Sequence, residues 1–284
     1  MSRNNSTVKE IRRLLTRKGR DRTGLFLIKG SAMVADAIRA GATLEVVVIC
    51  PELFAEHLHP ELDRRPDVSH LEVSAKVFET IAQGDFAEGI AAVVRQRWNR
   101  LEEIRLSDEL CWIALDTVQC PSNLGTILRI SDAVGGKGVM LIGNSADPYY
   151  PAAVSSSMGA VLWQRLVRTT FTEFAEWKQQ HGYRLIGTSP SALVEYRSVT
   201  YEPPFILLLG NEWFGLASEQ QFLCDLVVRI PMVGNIRSHN VAIAAGIVLY
   251  EALRQEAVQS CGNFGESFCS EKKVPLGCLD KESV

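Results

Sequence analysis

The 284-residue chain is long enough for two domains, each able to bury a core, and its composition (46% hydrophobic, 22% charged) is that of a soluble globular protein. No stretch approaches the roughly 18 uninterrupted apolar residues of a membrane span, and the N-terminus lacks the apolar core of a secretory signal, so a cytoplasmic protein with no membrane partner is expected. Seven cysteines, at 50, 111, 120, 224, 261, 269 and 278, form no CxxC pair and no zinc-like spacing, so no metal site is expected and reduced thiols are.

The net charge of −3 is unevenly placed. Residues 1–22 carry Arg3, Lys9, Arg12, Arg13, Arg17, Lys18, Arg20 and Arg22 against only Glu10 and Asp21, a local net of +6. Such a cluster can follow a phosphate backbone. It can equally be the solvated face of an amphipathic helix whose buried stripe is Val8, Ile11, Leu14 and Leu15. Charge alone favours the solvated helix.

Residues 7–97 read as a small α/β unit. After the basic helix come a short strand at Leu25–Ile28, a helix at Ala32–Ala40 stopped by Gly41, and an apolar strand at Leu44–Ile49. A helical stretch at Lys76–Ala82 and a strand at Gly89–Val94 follow. The polar run around 98–110 reads as a linker. From 111 to 256 apolar strands (CWIALDTV, VMLIG, RLIGT, FILLLG, LVVRI) alternate with helical patterns (NLGTILRISDAV, Thr172–Gln180, Asn240–Glu256). That alternation predicts an α/β fold with a parallel sheet covered on both faces. Residues 257–284 lose periodicity and read as a mobile tail.

Three segments carry candidate chemistry. In the first, 115–129, a strand ends, Pro121 and Ser122 turn the chain, and a helix begins near Asn123, offering free N–H groups to a ligand. Gly125 and Arg129 share a helix face, which would leave open space beside the guanidinium. The plainer alternative has Asn123 as a cap and Arg129 paired with Asp132. In the second, 206–216, a buried strand runs into Gly210, Glu212 and Gly215, where glycine lets a ligand approach the backbone at the ligand-binding edge of a parallel sheet. In the third, 230–251, Ser238, His239 and Asn240 stand at the mouth of a helix apolar nearly all round, which must be buried on more than one side. No G-x-G-x-x-G fingerprint is present, which excludes the usual nicotinamide site.

In order, these segments (NLGTILR, GNEWFG and IPMVGNIRSHNV, with a weaker SMGA at 157–160) resemble the signature motifs of SpoU/TrmH-type RNA ribose 2′-O-methyltransferases of the SPOUT superfamily. The resemblance covers about 111–256; His239 departs from it, since leucine is usual there. Residues 7–97 are similar, more loosely, to the RNA-binding domain that precedes many such catalytic domains and resembles ribosomal proteins. The resemblance implies a trefoil-knotted parallel sheet and S-adenosyl-L-methionine as methyl donor, held by Thr188, Gly210, Ile230, Met232, His239 and Asn240. It also implies Arg129 at the ribose hydroxyl, with Asn123, Glu212, Ser238 and Asn240 holding the register, and a homodimer. Arg12, Arg13, Arg17, Lys18, Arg20 and Arg22 become the candidate RNA contacts. The preceding domain favours 23S-type ribosomal RNA as substrate; a transfer-RNA enzyme and a catalytically silent RNA-binding relative are the alternatives.

Overall fold

The structure is a computed structural model that describes residues 6–54, 68–82 and 88–262. It contains two sheets. The first has four strands, β1 (Leu25–Lys29), β2 (Leu44–Ile49), β3 (Ser69–Glu72) and β4 (Ile90–Arg95), in the order β1-β4-β2-β3. Helices α1 (Ser6–Arg13), α2 (Arg17–Thr23), α3 (Ser31–Arg39) and α4 (Ala75–Ala82) accompany it. The single basic helix expected from the sequence is thus two short ones. Thr16 starts the second by accepting from the Gly19 N–H, and Val8, Ile11 and Leu14 are buried as expected.

The second sheet has seven strands in the order β7-β6-β5-β10-β8-β11-β9, every pair parallel. These are β5 (Cys111–Asp116), β6 (Gly138–Ile142), β7 (Arg165–Thr169), β8 (Arg184–Thr188), β9 (Val194–Glu195), β10 (Phe205–Leu209) and β11 (Leu226–Arg229). Its helices are α5 (Pro121–Ala133), α6 (Pro151–Ser157), α7 (Phe171–His181), α8 (Ser218–Leu223) and α9 (Val241–Gly262). β5, β6 and β10 are buried at every position, the pattern of strands covered on both faces. Strand order turns back between β5 and β10, so the crevice beyond their carboxyl ends is where an open parallel sheet binds ligands.

Five elements escaped the sequence reading: β3, β7, β9, α6 and α8. The first three are edge strands with a charged or polar residue at one end or both, and α6 (PAAVSSS) lacks an apolar period. Part of the polar run read as a linker packs against the second sheet. Leu101 and Ile104 are buried in the same cluster as Trp112 and Phe174, and Asn99 bridges to Val167. The last helix reaches Gly262 rather than ending near 256, and the remainder of the expected tail, 263–284, lies outside the described residues.

The two sheets share one core. Phe26 of β1 packs on Tyr149 with ring centroids 4.6 Å apart, and the Tyr149 hydroxyl donates to the Arg97 carbonyl at 2.6 Å. Beside them Arg20, with 0% exposure, sends Nε and Nη2 to one oxygen of Asp147, each at 2.8 Å, and Nη1 to the Leu14 carbonyl at 2.7 Å. Arg20 therefore leaves the candidate RNA-contact set: its charge is spent inside the protein, tying α2 to the loop before α6. Arg13, Arg17, Lys18 and Arg22 remain exposed and Arg12 half-buried, with Arg13 and Arg22 paired to Glu10 and Arg17 to Asp21.

Candidate active site

The candidate site is built where β5, β8, β10 and β11 end. β5 delivers the chain to Cys120, after which Pro121 opens α5; Asn123 therefore lies inside the first turn and is not the cap. The first turn is capped from elsewhere. Glu212, on the turn after β10, accepts from the N–H groups of Gln119 and Cys120, both at 2.9 Å, and from Asn123 Nδ2 at 3.2 Å. A carboxylate at a helix N-terminus meets the unpaired N–H groups and the positive end of the helix dipole.

Asn123 then passes the chain onward. Its Oδ1 accepts from Asn240 Nδ2 at 2.9 Å, and Asn240 Oδ1 accepts from the N–H of Ala242 at 2.9 Å and of Ile243 at 3.4 Å, capping α9. The direction of every bond is fixed by the two ends, one acceptor-only and the other donor-only, so neither amide can be flipped without losing a bond. One network thereby joins the three motif segments. Burial alone would raise the Glu212 pKa, but the peptide N–H groups of Gln119 and Cys120, that of Glu212 itself and the Asn123 amide together hold it below 4.5.

A cavity of about 470 Å³ opens beside this network. Thr188, Gly210, Glu212, Ile230, Met232, Ser238 and His239 line it, which brings together every expected cofactor residue except Asn240, one position away. Gly210 has a packing reason: a Cβ there would stand 2.3 Å from the Gly215 carbonyl oxygen, so only glycine lets the 210–215 turn close. Among the described residues, no backbone–backbone hydrogen bond outside helices and strands involves residues 230–239, so their peptide groups are free for a ligand or another chain. His239 Nε2 is buried with no hydrogen-bond partner among the described residues. The volume, the free peptide groups and this orphaned nitrogen suit a polar ligand of nucleoside size.

Arg129 lies apart from the cavity lining. It is exposed on α5, and no described residue pairs with it; the alternative pairing with Asp132 is not formed. Gly125 does not open space beside it. A Cβ at Gly125 would stand 2.3 Å from the Ala153 carbonyl oxygen, so this glycine serves the close packing of α5 on α6. Sequence reading also missed Asn211, whose Nδ2 donates to the Thr117 carbonyl at 2.8 Å while Oδ1 accepts from the N–H groups of Trp213 and Phe214. Its only signal was a position between a strand-ending glycine and Glu212. Among the described residues no group of three or more His, Cys, Asp or Glu side chains converges as metal ligands, and no helix is long and apolar enough to cross a membrane.

A seven-stranded parallel sheet with a nucleoside-sized cavity at its carboxyl edge, walled by an irregular segment leading into the last helix, defines an α/β protein built to bind a nucleoside-sized ligand at its sheet edge. Residues 111–250 match the SpoU rRNA methylase family and residues 5–92 the MRM3-like substrate-binding domain. The chain is similar to an AdoMet-bound rRNA methyltransferase from Sinorhizobium meliloti, with TM-score 0.82 and 35% identity, covering 89% of this chain and 96% of that one. It is also similar to the 23S rRNA (uridine(2479)-2′-O)-methyltransferase of Streptomyces viridochromogenes, 29% identical over 84% of this chain and 86% of that protein. A third relative is the 23S rRNA (guanosine(2553)-2′-O)-methyltransferase RlmP of Bacillus subtilis, 27% identical over 88% and 96%. The chain belongs to the SpoU rRNA methylase family.

Proposed function

We propose that the protein transfers a methyl group from S-adenosylmethionine to a ribose 2′-hydroxyl of large-subunit ribosomal RNA, acting as a homodimer in the cytoplasm. The observation that carries this reading is the Glu212–Asn123–Asn240 network, which locks all three motif segments together at the rim of a ligand-sized cavity.

When bound, the cofactor supplies a methyl carbon made electrophilic by its sulfonium. Gly210, Ile230, Met232 and the 239–240 backbone would hold it, with Thr188 also lining the cavity. The trefoil knot belongs to this proposal: β8, β10 and β11 lie side by side, and the segment after β11 shares the cavity wall with the turn after β10. The remaining task is to hold a ribose hydroxyl in line and let its proton leave. Arg129 is assigned that position. An arginine is a poor base, because its pKa lies above about 12, so its role is to orient and polarise the hydroxyl with a phosphate nearby. Its guanidinium, exposed and unpaired among the described residues, suits a group reserved for substrate. Ser238 and Asn240 hold the ribose side of the register.

The dimer is supported by α9. Its buried side carries Ala242, Ala245, Val248 and Leu249, while Ile243 and Tyr250 on the opposite side are exposed. An apolar stripe left uncovered in one chain suits a second copy in a two-fold pair. Ribosomal RNA is preferred because residues 5–92 match a substrate-binding domain and because α1 and α2 hold the exposed basic cluster. Mapping 2′-O-methylation across ribosomal and transfer RNA, with and without the gene, tests this. Loss of one large-subunit ribosomal site is expected; loss confined to transfer RNA would overturn the substrate assignment.

A further inference from the structure

Three side chains at the cavity rim have no role in the network just described. Trp213 and Phe214 line the cavity yet are 86% and 89% exposed, so both rings stand almost wholly in solvent at its rim. Leaving two large aromatic rings uncovered forgoes burial that either would gain in a core. They are nevertheless presented on a rigid support. Asn211 Oδ1 accepts from the Trp213 N–H at 2.9 Å and the Phe214 N–H at 3.2 Å, and the Gly215 N–H returns to the Asn211 carbonyl at 2.8 Å. Glu212, on the same turn, is anchored to α5. The turn cannot swing to bury its rings without breaking both sets of bonds.

The third side chain is Arg237, exposed and lining the same cavity, with no ion pair or hydrogen bond to any described residue. Two exposed aromatic rings on an anchored turn, together with a guanidinium that lines the same cavity and is unpaired among the described residues, form the combination that grips a single-stranded nucleic acid. Rings stack on bases whatever their identity, and the guanidinium takes a phosphate. A protein partner would be expected to bring a carboxylate to Arg237 and apolar side chains to the rings. An RNA strand satisfies all three groups at once, and the adjoining site needs an unpaired nucleotide at this rim.

We propose that Trp213, Phe214 and Arg237 form the seat for the nucleotides flanking the methylated ribose, with the rings stacking on unpaired bases and Arg237 on the intervening phosphate. The proposal rests on the reading of the site as an RNA 2′-O-methyltransferase and adds the substrate feature it selects, a locally single-stranded target.

The test uses the full chain and a fluorescent, mixed-sequence single-stranded RNA of about twelve nucleotides, with the demethylated cofactor product present. Trp213→Ala and Phe214→Ala should each weaken RNA binding about tenfold, the scale of one lost base stack. Trp213→Phe should retain it and Trp213→Leu should not, which separates stacking from general apolarity. Arg237→Gln should lower the slope of log affinity against log salt by roughly one contact. With ribosomal RNA as substrate the loss should fall mainly on KM, with cofactor affinity held within about threefold. Unchanged RNA affinity overturns the proposal. So does an equal loss of cofactor affinity, which would assign the rings to the cofactor wall, or conversion of the variants to monomers, which would assign them to the subunit contact. If the wild-type chain binds the oligonucleotide through these residues but methylates no RNA, the reaction assigned above fails and the seat stands.

Discussion

Glu212 faces two peptide N–H groups and an amide, so an acceptor-only group is needed there. In Glu212→Gln the new amide turns a donor toward other donors, and the expected cost is about 1–3 kcal/mol, read from urea unfolding. The pH dependence has a definite sign. A carboxyl whose pKa falls on folding contributes stability that is fully present above its ordinary value of 4.5 and is lost as pH drops through the folded value. The wild-type chain should therefore lose stability on the acid side more steeply than Glu212→Gln; parallel curves would mean that the carboxylate is not ionised in this network. Arg129 calls for a different signature. Arg129→Ala should lower turnover by about two orders of magnitude or more, with stability and cofactor affinity nearly unchanged, because no described residue depends on its side chain. Arg129→Lys should fail as well, since an ammonium lacks the planar fork; wild-type turnover in the lysine variant would remove Arg129 from the reaction.

Among the elements, the buried Arg20–Asp147 pair joins the N-terminal helices to the catalytic sheet. Asp147→Asn leaves the Arg20 guanidinium buried without a counter-charge, so a loss of roughly 3–5 kcal/mol in unfolding free energy is expected. A change below about 1 kcal/mol would show the pair to be dispensable. The last helix carries a separate expectation. Tyr250→Asp, on its exposed stripe, should give a folded monomer in sedimentation velocity, and a variant that stays dimeric would take α9 out of the interface. The elements also show where the sequence was informative. β2 and β8 were legible to the residue, and β5, β6 and β10 to within two positions, the last three because a strand buried on both faces is written as a nearly continuous apolar run. Edge strand β3 buries only Leu71 and leaves no such trace. Within the site, residue types at motif spacing pointed to Asn123, Glu212 and Asn240, but not to the bonds that join them, since those cross between segments about 90 or more positions apart. Arg20 was misjudged for the same reason: a charged residue in a basic run reads as solvated, and its partner lies 127 positions away.

For the whole molecule, charge and chemistry are divided between the two sheets. The exposed cations of α1 and α2 stand on the unit that matches a substrate-binding domain, whereas the cavity is walled by β8, β10, β11 and the 230–241 segment of the other. Reversing Arg13, Arg17, Lys18 and Arg22 to glutamate should weaken RNA binding and flatten its salt dependence, because fewer counterions are released. Cofactor affinity should be unaffected; a matching loss there would mean that the two functions are not separable. The central claim is that a methyl group reaches a ribose oxygen. Its most direct test is to incubate ribosomal RNA lacking the modification with the pure protein and isotopically labelled S-adenosylmethionine, digest the RNA to nucleosides, and identify the labelled product. Label in a 2′-O-methylnucleoside from large-subunit RNA, absent with Arg129→Ala, is the predicted result; label on a base, or none in RNA, would contradict it.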